Sequence, residues 1–153
     1  MNNNDVLKRI RYTFDFDDSK MCELFEKGGN PATRAIVTDW LKKEEDPAFK
    51  SLSDQALAEF LNGFIIEKRG QQGDSIPVAE TILNNNIILR KLKIALQLKD
   101  EDIISILQLA DFRLSKHELS ALFRQPSQAQ YRVCQDQIMR NFLHGLEKKF
   151  KTS

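Results

Sequence analysis

Residues 2–71 of this chain, moved along by 82 positions, fall on residues 84–153 without a gap. Asn2, Asn3 and Asn4 land on Asn84, Asn85 and Asn86, Leu7 on Leu89, and Asp18 on Asp100. Asp54-Gln55 lands on Asp136-Gln137, and Phe60-Leu61-Asn62-Gly63 on Phe142-Leu143-His144-Gly145. The identities are few, but they are clustered, and the apolar positions keep phase from end to end. A repeat of this period constrains the fold more than any local motif. It predicts two copies of one unit, residues 2–69 and 84–150, joined by a linker at 70–83.

Each copy is near the size at which a lone helical unit buries only a marginal core. The two are therefore expected to pack as one compact, pseudo-twofold body. Apolar residues recur every three to four positions, the signature of amphipathic helices, and nothing reads as a strand. The predicted fold class is all-α, a tandem duplication of a roughly four-helix unit.

In the first helix Val6, Leu7, Ile10, Thr13 and Phe14 form the buried stripe, matched by Ile88, Leu89, Leu92, Ala95 and Leu96. The second opens at Asp18 or Asp100, both expected as N-caps, and buries Met21, Leu24 and Phe25 or Ile103, Ile106 and Leu107. The third opens at Thr33 or Ser115, where Ser115 and Glu118 have capping-box spacing. The fourth runs from about Ser53 to Lys68 and from about Gln135 to Lys149. Gly70, Gly73 and Pro77 predict an irregular start to the linker, and Val78 to Leu83 a further turn of helix.

No apolar run reaches the ~20 residues of a membrane span, and the first residues lack the pattern of a secretory signal. A cytoplasmic protein without membrane attachment is expected. Cys22 and Cys134 align with aliphatic residues of the sister copy, Ile104 and Leu52, and are expected as small buried hydrophobes rather than a disulfide. The two histidines, His117 and His144, recur in neither copy. With no metal-binding spacing and no phosphate-cradling glycine loop, neither a metal site, a cofactor nor an enzymatic activity is expected.

Four features bear on binding. The Asn triplets exceed what one cap requires. Asn4 and Asn86 are expected as the caps and the earlier pairs as turn formers, the alternative being amides offered to a ligand or to the other copy. Gly63 and Gly145 sit inside helices at about 1 kcal/mol each against alanine. They predict close backbone approach, with the two fourth helices crossing each other as the candidate contact. Tyr12 and Ile94 stand opposite the apolar stripe of the first helix and mark a candidate second buried surface, between the copies or in a dimer.

The fourth feature is basic residues at matching places. Copy one holds 11 Lys+Arg against 13 Asp+Glu, copy two 12 against 7. Arg34, Thr38 and Lys42 step by four along the third helix, as Lys116, Ser120 and Arg124 do in copy two, and Arg90, Lys91 and Lys93 lie on the first helix of copy two. Such donors can contact phosphates. Asp100–Leu109 and Ser115–Gln125 resemble a helix-turn-helix, although the intervening turn is long and lacks the usual glycine. A solvated helix face is the competing account.

The stretches Asn-Asn-Asn-Ile-Ile-Leu-Arg-Lys-Leu-Lys-Ile-Ala-Leu (84–96) and Phe-Leu-Asn-Gly-Phe-Ile-Ile-Glu-Lys-Arg-Gly (60–70), with the tandem layout, resemble the YehS-like bacterial family, whose duplicated unit is a domain of unknown function. The resemblance spans essentially the whole chain. It implies a bacterial, cytoplasmic protein and supports the two-copy division, but brings no activity, cofactor or catalytic residue. Two expectations follow for function. The first is a non-enzymatic interaction or scaffold protein that holds a protein partner or itself. The second is a helix-turn-helix-like nucleic-acid-binding regulator.

Overall fold

Each copy begins with one Asn that caps a helix and two that tie the remainder of the copy to it. The computed structural model describes residues 1–70 and 77–151 and contains, among them, eight α-helices and no strand. Copy one comprises α1 (Asn3–Phe14), α2 (Asp18–Lys27), α3 (Arg34–Leu41) and α4 (Asp54–Arg69). Copy two repeats them as α5 (Asn85–Leu96), α6 (Asp100–Leu109), α7 (Lys116–Leu122) and α8 (Asp136–Phe150).

The expected stripes are the buried faces. Val6, Leu7, Ile10 and Thr13 of α1 are buried, as are Ile88, Leu89, Leu92 and Ala95 of α5, whereas Phe14 and Leu96, at the ends of the expected stripes, are only half-buried against the core. Helix α4 lies between α2 of its own copy and α5 of the other, and α8 lies between α6 and α1. Exchanging the copies converts one set of contacts into the other, which makes the body pseudo-twofold. One continuous hydrophobic cluster runs through both copies. A unit that alone would be marginal thus shares its core, and the chain folds as one body.

The Asn triplets divide three tasks identically in the two copies. Asn2 and Asn84, rather than Asn4 and Asn86, are the N-caps, their side-chain oxygens accepting from Asp5 N at 2.8 Å and Ile87 N at 2.9 Å. Asn3 donates to Leu52 O at 3.1 Å and Asp54 Oδ1 at 2.7 Å, and Asn85 to Cys134 O at 3.0 Å and Asp136 Oδ1 at 2.8 Å. Asn4 is buried. It donates to Trp40 O and Lys50 O, both at 2.9 Å, and accepts from Leu52 N at 3.0 Å. Asn86 repeats this with Leu122 O at 3.0 Å, Arg132 O at 2.9 Å and Cys134 N at 2.9 Å. One amide thereby satisfies three backbone groups, one in the last turn of the third helix and two in the loop that follows it, which would otherwise be buried without partners.

The repeated Asp closes the frame across the copies. Asp54 accepts from Leu83 N at 2.8 Å, immediately before the Asn triplet of copy two, and Asp136 accepts from the Met1 amine at 3.2 Å, immediately before that of copy one. Both carboxyls are held below the usual range. The Leu83 N–H and then Asn3 do so for Asp54, and Asn85 and then the amine for Asp136.

The second helices differ from expectation by one residue. Asp18 and Asp100 are the first helical residues, not the caps, because Asp17 caps α2 and the Asp102 carboxylate accepts the Lys99 N–H at the start of α6. The recurring Asp instead faces a recurring base on the preceding helix, Arg11 at 4.0 Å from Asp18 and Lys93 at 3.4 Å from Asp100. In the linker, the expected turn of helix over 78–83 is absent. That segment runs irregularly, held by Leu83 on Asp54 and by Glu80 on Lys91. Gly73 lies outside the described residues.

Candidate functional site

The helical glycines serve contacts inside each copy rather than between the two fourth helices. A Cβ on Gly63 would lie 1.7 Å from Leu24 O of α2, and one on Gly145 would lie 2.0 Å from Ile106 O of α6. Leu24 and Ile106 are sister positions, so the same carbonyl presses on the same glycine in both copies. In copy one the approach is closer still, because Gly28 lies against Glu59 O, where copy two has Ala110.

Tyr12 and Ile94 are not buried between the copies: they stay 52% and 37% exposed. Tyr12 does touch copy two at its edge, where Lys151 donates to its carbonyl at 3.1 Å and lies 4.1 Å above its ring. Two further polar contacts join the copies. Arg9 meets Glu147 at 2.9 Å with His144 beside it, and the sister residue Lys91 donates to Asn62 Oδ1 at 2.6 Å.

That placement removes Lys91 from the nucleic-acid candidates: it is 8% exposed, and Glu80 adds a second partner at 3.0 Å. Lys93 is half-buried between Asp100 and the Phe123 ring, 4.3 Å from its centroid. Arg90 remains exposed and donates to Phe123 O at 3.2 Å, capping the carbonyl end of α7. Along α3, Arg34 donates to Ser19 Oγ at 2.6 Å and Thr38 to Arg34 O at 2.8 Å, while Lys42 lies just past the helix end and pairs with Asp39 at 2.8 Å. Along α7, Lys116 is exposed 3.4 Å from Glu101, and Ser120 donates to His117 O at 3.1 Å. Arg124 lies beyond the helix end, because α7 stops at Leu122 rather than at Gln125. Arg124 and Arg90 line one small cavity with Asn84, Asn86, Ile87, Pro126 and Tyr131. The turn between α6 and α7 manages without glycine because Asp111 takes the left-handed conformation, at φ 58°, that Gly29 takes at φ 94° in copy one.

The site that sequence reasoning missed is a groove between α3 and α4 of copy one. Ala32, Ile36, Trp40 and Ala56 form its apolar floor, Pro31 and Ser53 flank it, and Asn30, Gln55 and Glu59 rim a volume of about 360 Å³. Trp40, the only tryptophan, is half-buried with its ring 5.1 Å from that of Phe25, and Ile36 is 38% exposed. Copy two carries Leu114, Glu118, Leu122 and Ile138 at the four floor positions. Larger side chains at 114 and 138 take up the room that Ala32 and Ala56 leave. The signal was in the repeat: two Ala facing Leu and Ile, and an Ile facing Glu.

Among the described residues no three His, Cys, Asp or Glu side chains gather as metal ligands. Cys22 and Cys134 are unpaired, and burial pushes the Cys134 thiol up to about 12. No helix of the described residues is long and apolar enough to cross a membrane.

Comparison with known proteins agrees with the internal repeat. The family model described as "Protein of unknown function (DUF1456)" matches the chain twice, over residues 3–70 and 85–151. The "Uncharacterized protein YehS" of Escherichia coli (strain K12) is 40% identical over 148 residues, spanning 95% of this chain and 94% of the relative. No solved structure matches.

Proposed function

The chain belongs to the DUF1456 family of proteins of unknown function, and from that premise we propose that it is a non-enzymatic interaction protein whose α3/α4 groove in copy one holds a segment of a protein partner. The observation that carries this is the groove itself: a half-buried Trp40 beside an exposed Ile36, over two alanines where copy two has leucine and isoleucine. Trp is the residue most characteristic of binding hot spots, and an open apolar floor with a polar rim is the usual anatomy of such a pocket. The rim supplies the half-buried Glu59, and the copy that carries it holds more Asp and Glu than Lys and Arg. The occupant is therefore an apolar side chain flanked by a basic one. The Asn triplets and the repeated Asp are engaged with backbone and with each other, which supports a framework role for them over a catalytic one. A bacterial cytoplasmic setting is part of the same reading, supported by the unpaired thiols and by the Escherichia coli relative.

Photo-cross-linking in cells tests it. A photoreactive amino acid replacing Ile36 is expected to give a discrete adduct that vanishes when Ala32→Leu and Ala56→Ile fill the groove. The same probe replacing Glu118 of copy two is expected to give none. Equal adducts from both positions, or an adduct that survives the filled groove, would sink the proposal.

A nucleic-acid-binding role is the second reading, favoured by Arg90, Arg124 and Tyr131 lining one cavity in the more basic copy. Fluorescence anisotropy with mixed-sequence DNA and RNA decides it. Steeply salt-dependent binding that disappears in Arg90→Glu/Arg124→Glu would support it, and no binding at low salt would end it.

A further inference from the structure

The two seams between the copies are related by the pseudo-twofold, yet their charges are answered differently. At the α5/α4 seam the chain answers its own cation: Lys91 is buried against Asn62, and the linker lays Glu80 on it at 3.0 Å. Arg90, the neighbouring base, is turned away to Phe123 O, and the position facing the seam from α4 is the buried Ala58.

The α1/α8 seam is open. A cleft of about 440 Å³ is lined by Met1, Asp5, Lys8 and Arg9 of the α1 side and by Arg140 of α8, which stands where α4 has Ala58. Asp5 is occupied, its carboxylate accepting the Asn2 N–H at 3.1 Å within the capping box. Arg9 is occupied by Glu147 at 2.9 Å. Lys8 and Arg140 form no ion pair among the described residues; Lys8 lies 5.8 Å over the Phe49 ring, which is no counter-charge. Lys8 and Arg140, from different helices and without a salt bridge of their own, share one cavity with Arg9, and the acids near them are Asp5 in the lining and Asp136 one turn before Arg140.

We propose that the α1/α8 seam binds a compact multivalent oxyanion, with Lys8 and Arg140 as its principal ligands and Arg9 as their support. Arginine forks match the paired oxygens of phosphate and carboxylate groups. The cleft has room for a small anion. This inference is independent of the α3/α4 groove, which shares none of these residues.

The test is a titration of the full chain followed by ¹H–¹⁵N correlation NMR. Pyrophosphate is one arm, citrate a second, and sodium chloride at matched ionic strength the control. Saturable shifts at the amides of Lys8, Arg9 and Arg140 are expected with pyrophosphate, with citrate or with both, and the arm that saturates identifies phosphate or carboxylate chemistry. Arg140→Gln, a neutral change at an exposed position, is expected to weaken binding about tenfold with the remaining spectrum unchanged. Lys8→Ala should do likewise, while Arg113→Gln, which removes one positive charge away from the seam, should leave it intact. Shifts reproduced by sodium chloride, absence of saturation in both arms, or equal weakening by Arg113→Gln would overturn the proposal.

Discussion

Copies one and two hold their backbones in the same way and present different surfaces. Asn4 and Asn86 make the same three bonds, Asn3 and Asn85 the same two, and Asp54 and Asp136 reach across to the entry of the opposite copy. Away from these clamps the copies diverge. Copy one has an open groove and an acid-centred ion cluster in which Glu67 joins Lys20 and Lys27, and the sister of Glu67 is Lys149. Side chains that complete backbone hydrogen bonds cannot change one at a time without orphaning a buried group. Surface side chains carry no such penalty. The repeat therefore persists where it holds backbone and fades where it meets solvent.

The strongest break should come at the helix crossings. Gly63→Ala puts a methyl 1.7 Å from a carbonyl oxygen, and the atom in the way is backbone. A loss of about 4 kcal/mol is expected by urea denaturation, the range of severe overpacking. Gly145→Ala should cost nearly as much. Gly28→Ala sharpens the comparison: it should be as damaging as Gly63→Ala, although copy two carries Ala110 at that place without harm. If Gly28→Ala is neutral, the closer crossing in copy one is wrong.

The Asn clamps come next. Asn4→Ala and Asn86→Ala each leave three backbone groups without their partner, and each should cost about 3 kcal/mol. The two values should agree within about 1 kcal/mol, since the standing clamps are alike. A much smaller loss for one of them would show that its loop is held by something else.

The interface cations should then differ sharply. Lys91→Met strands Asn62 Oδ1 in a buried site and is expected to lower stability by about 2 kcal/mol. Arg9→Met, at the sister position but half-exposed, should cost about 0.5 kcal/mol or less. Equal effects would contradict the asymmetry of the two seams.

The smallest effect is the part of the pH dependence that Glu67 of copy one supplies. Its hydrogen bonds to Lys20 and then Lys27 hold the Glu67 carboxyl at about 2, against an ordinary 4.5. A depressed carboxyl contributes stability in full above its unfolded value and loses it as pH falls toward its folded one. Glu67→Gln should therefore flatten the stability profile between about 4.5 and 2, measured as thermal midpoints across that window. An unchanged profile would mean that the cluster is solvent-screened.

Much of this fold was legible because the repeat doubles each observation. The buried faces of the first two helix pairs, the Thr33 and Ser115 caps and the extents of α4 and α8 follow from periodicity and capping chemistry. The functional candidates were less legible for a physical reason: a basic residue reads the same whether it faces solvent, an acid or another helix. Lys91 lies on the face that was expected to be wet, and only the packing of α5 on α4 reveals that it is buried. The glycines announced close approach, but the partner is α2 or α6 and not the opposite fourth helix. The groove was hidden because alanine at 32 and 56 is unremarkable until set beside Leu114 and Ile138.

The central claim is that both copies form one cooperative body, and Trp40 allows a direct test because copy one holds the only tryptophan. Urea unfolding of Asn86→Ala, a change confined to copy two, should be followed by Trp40 fluorescence and by far-ultraviolet circular dichroism together. One body predicts coincident transitions, both shifted to lower urea by the same amount relative to the parent chain. A fluorescence midpoint that stays at the parent value while the dichroism splits into two steps would show that the copies fold independently.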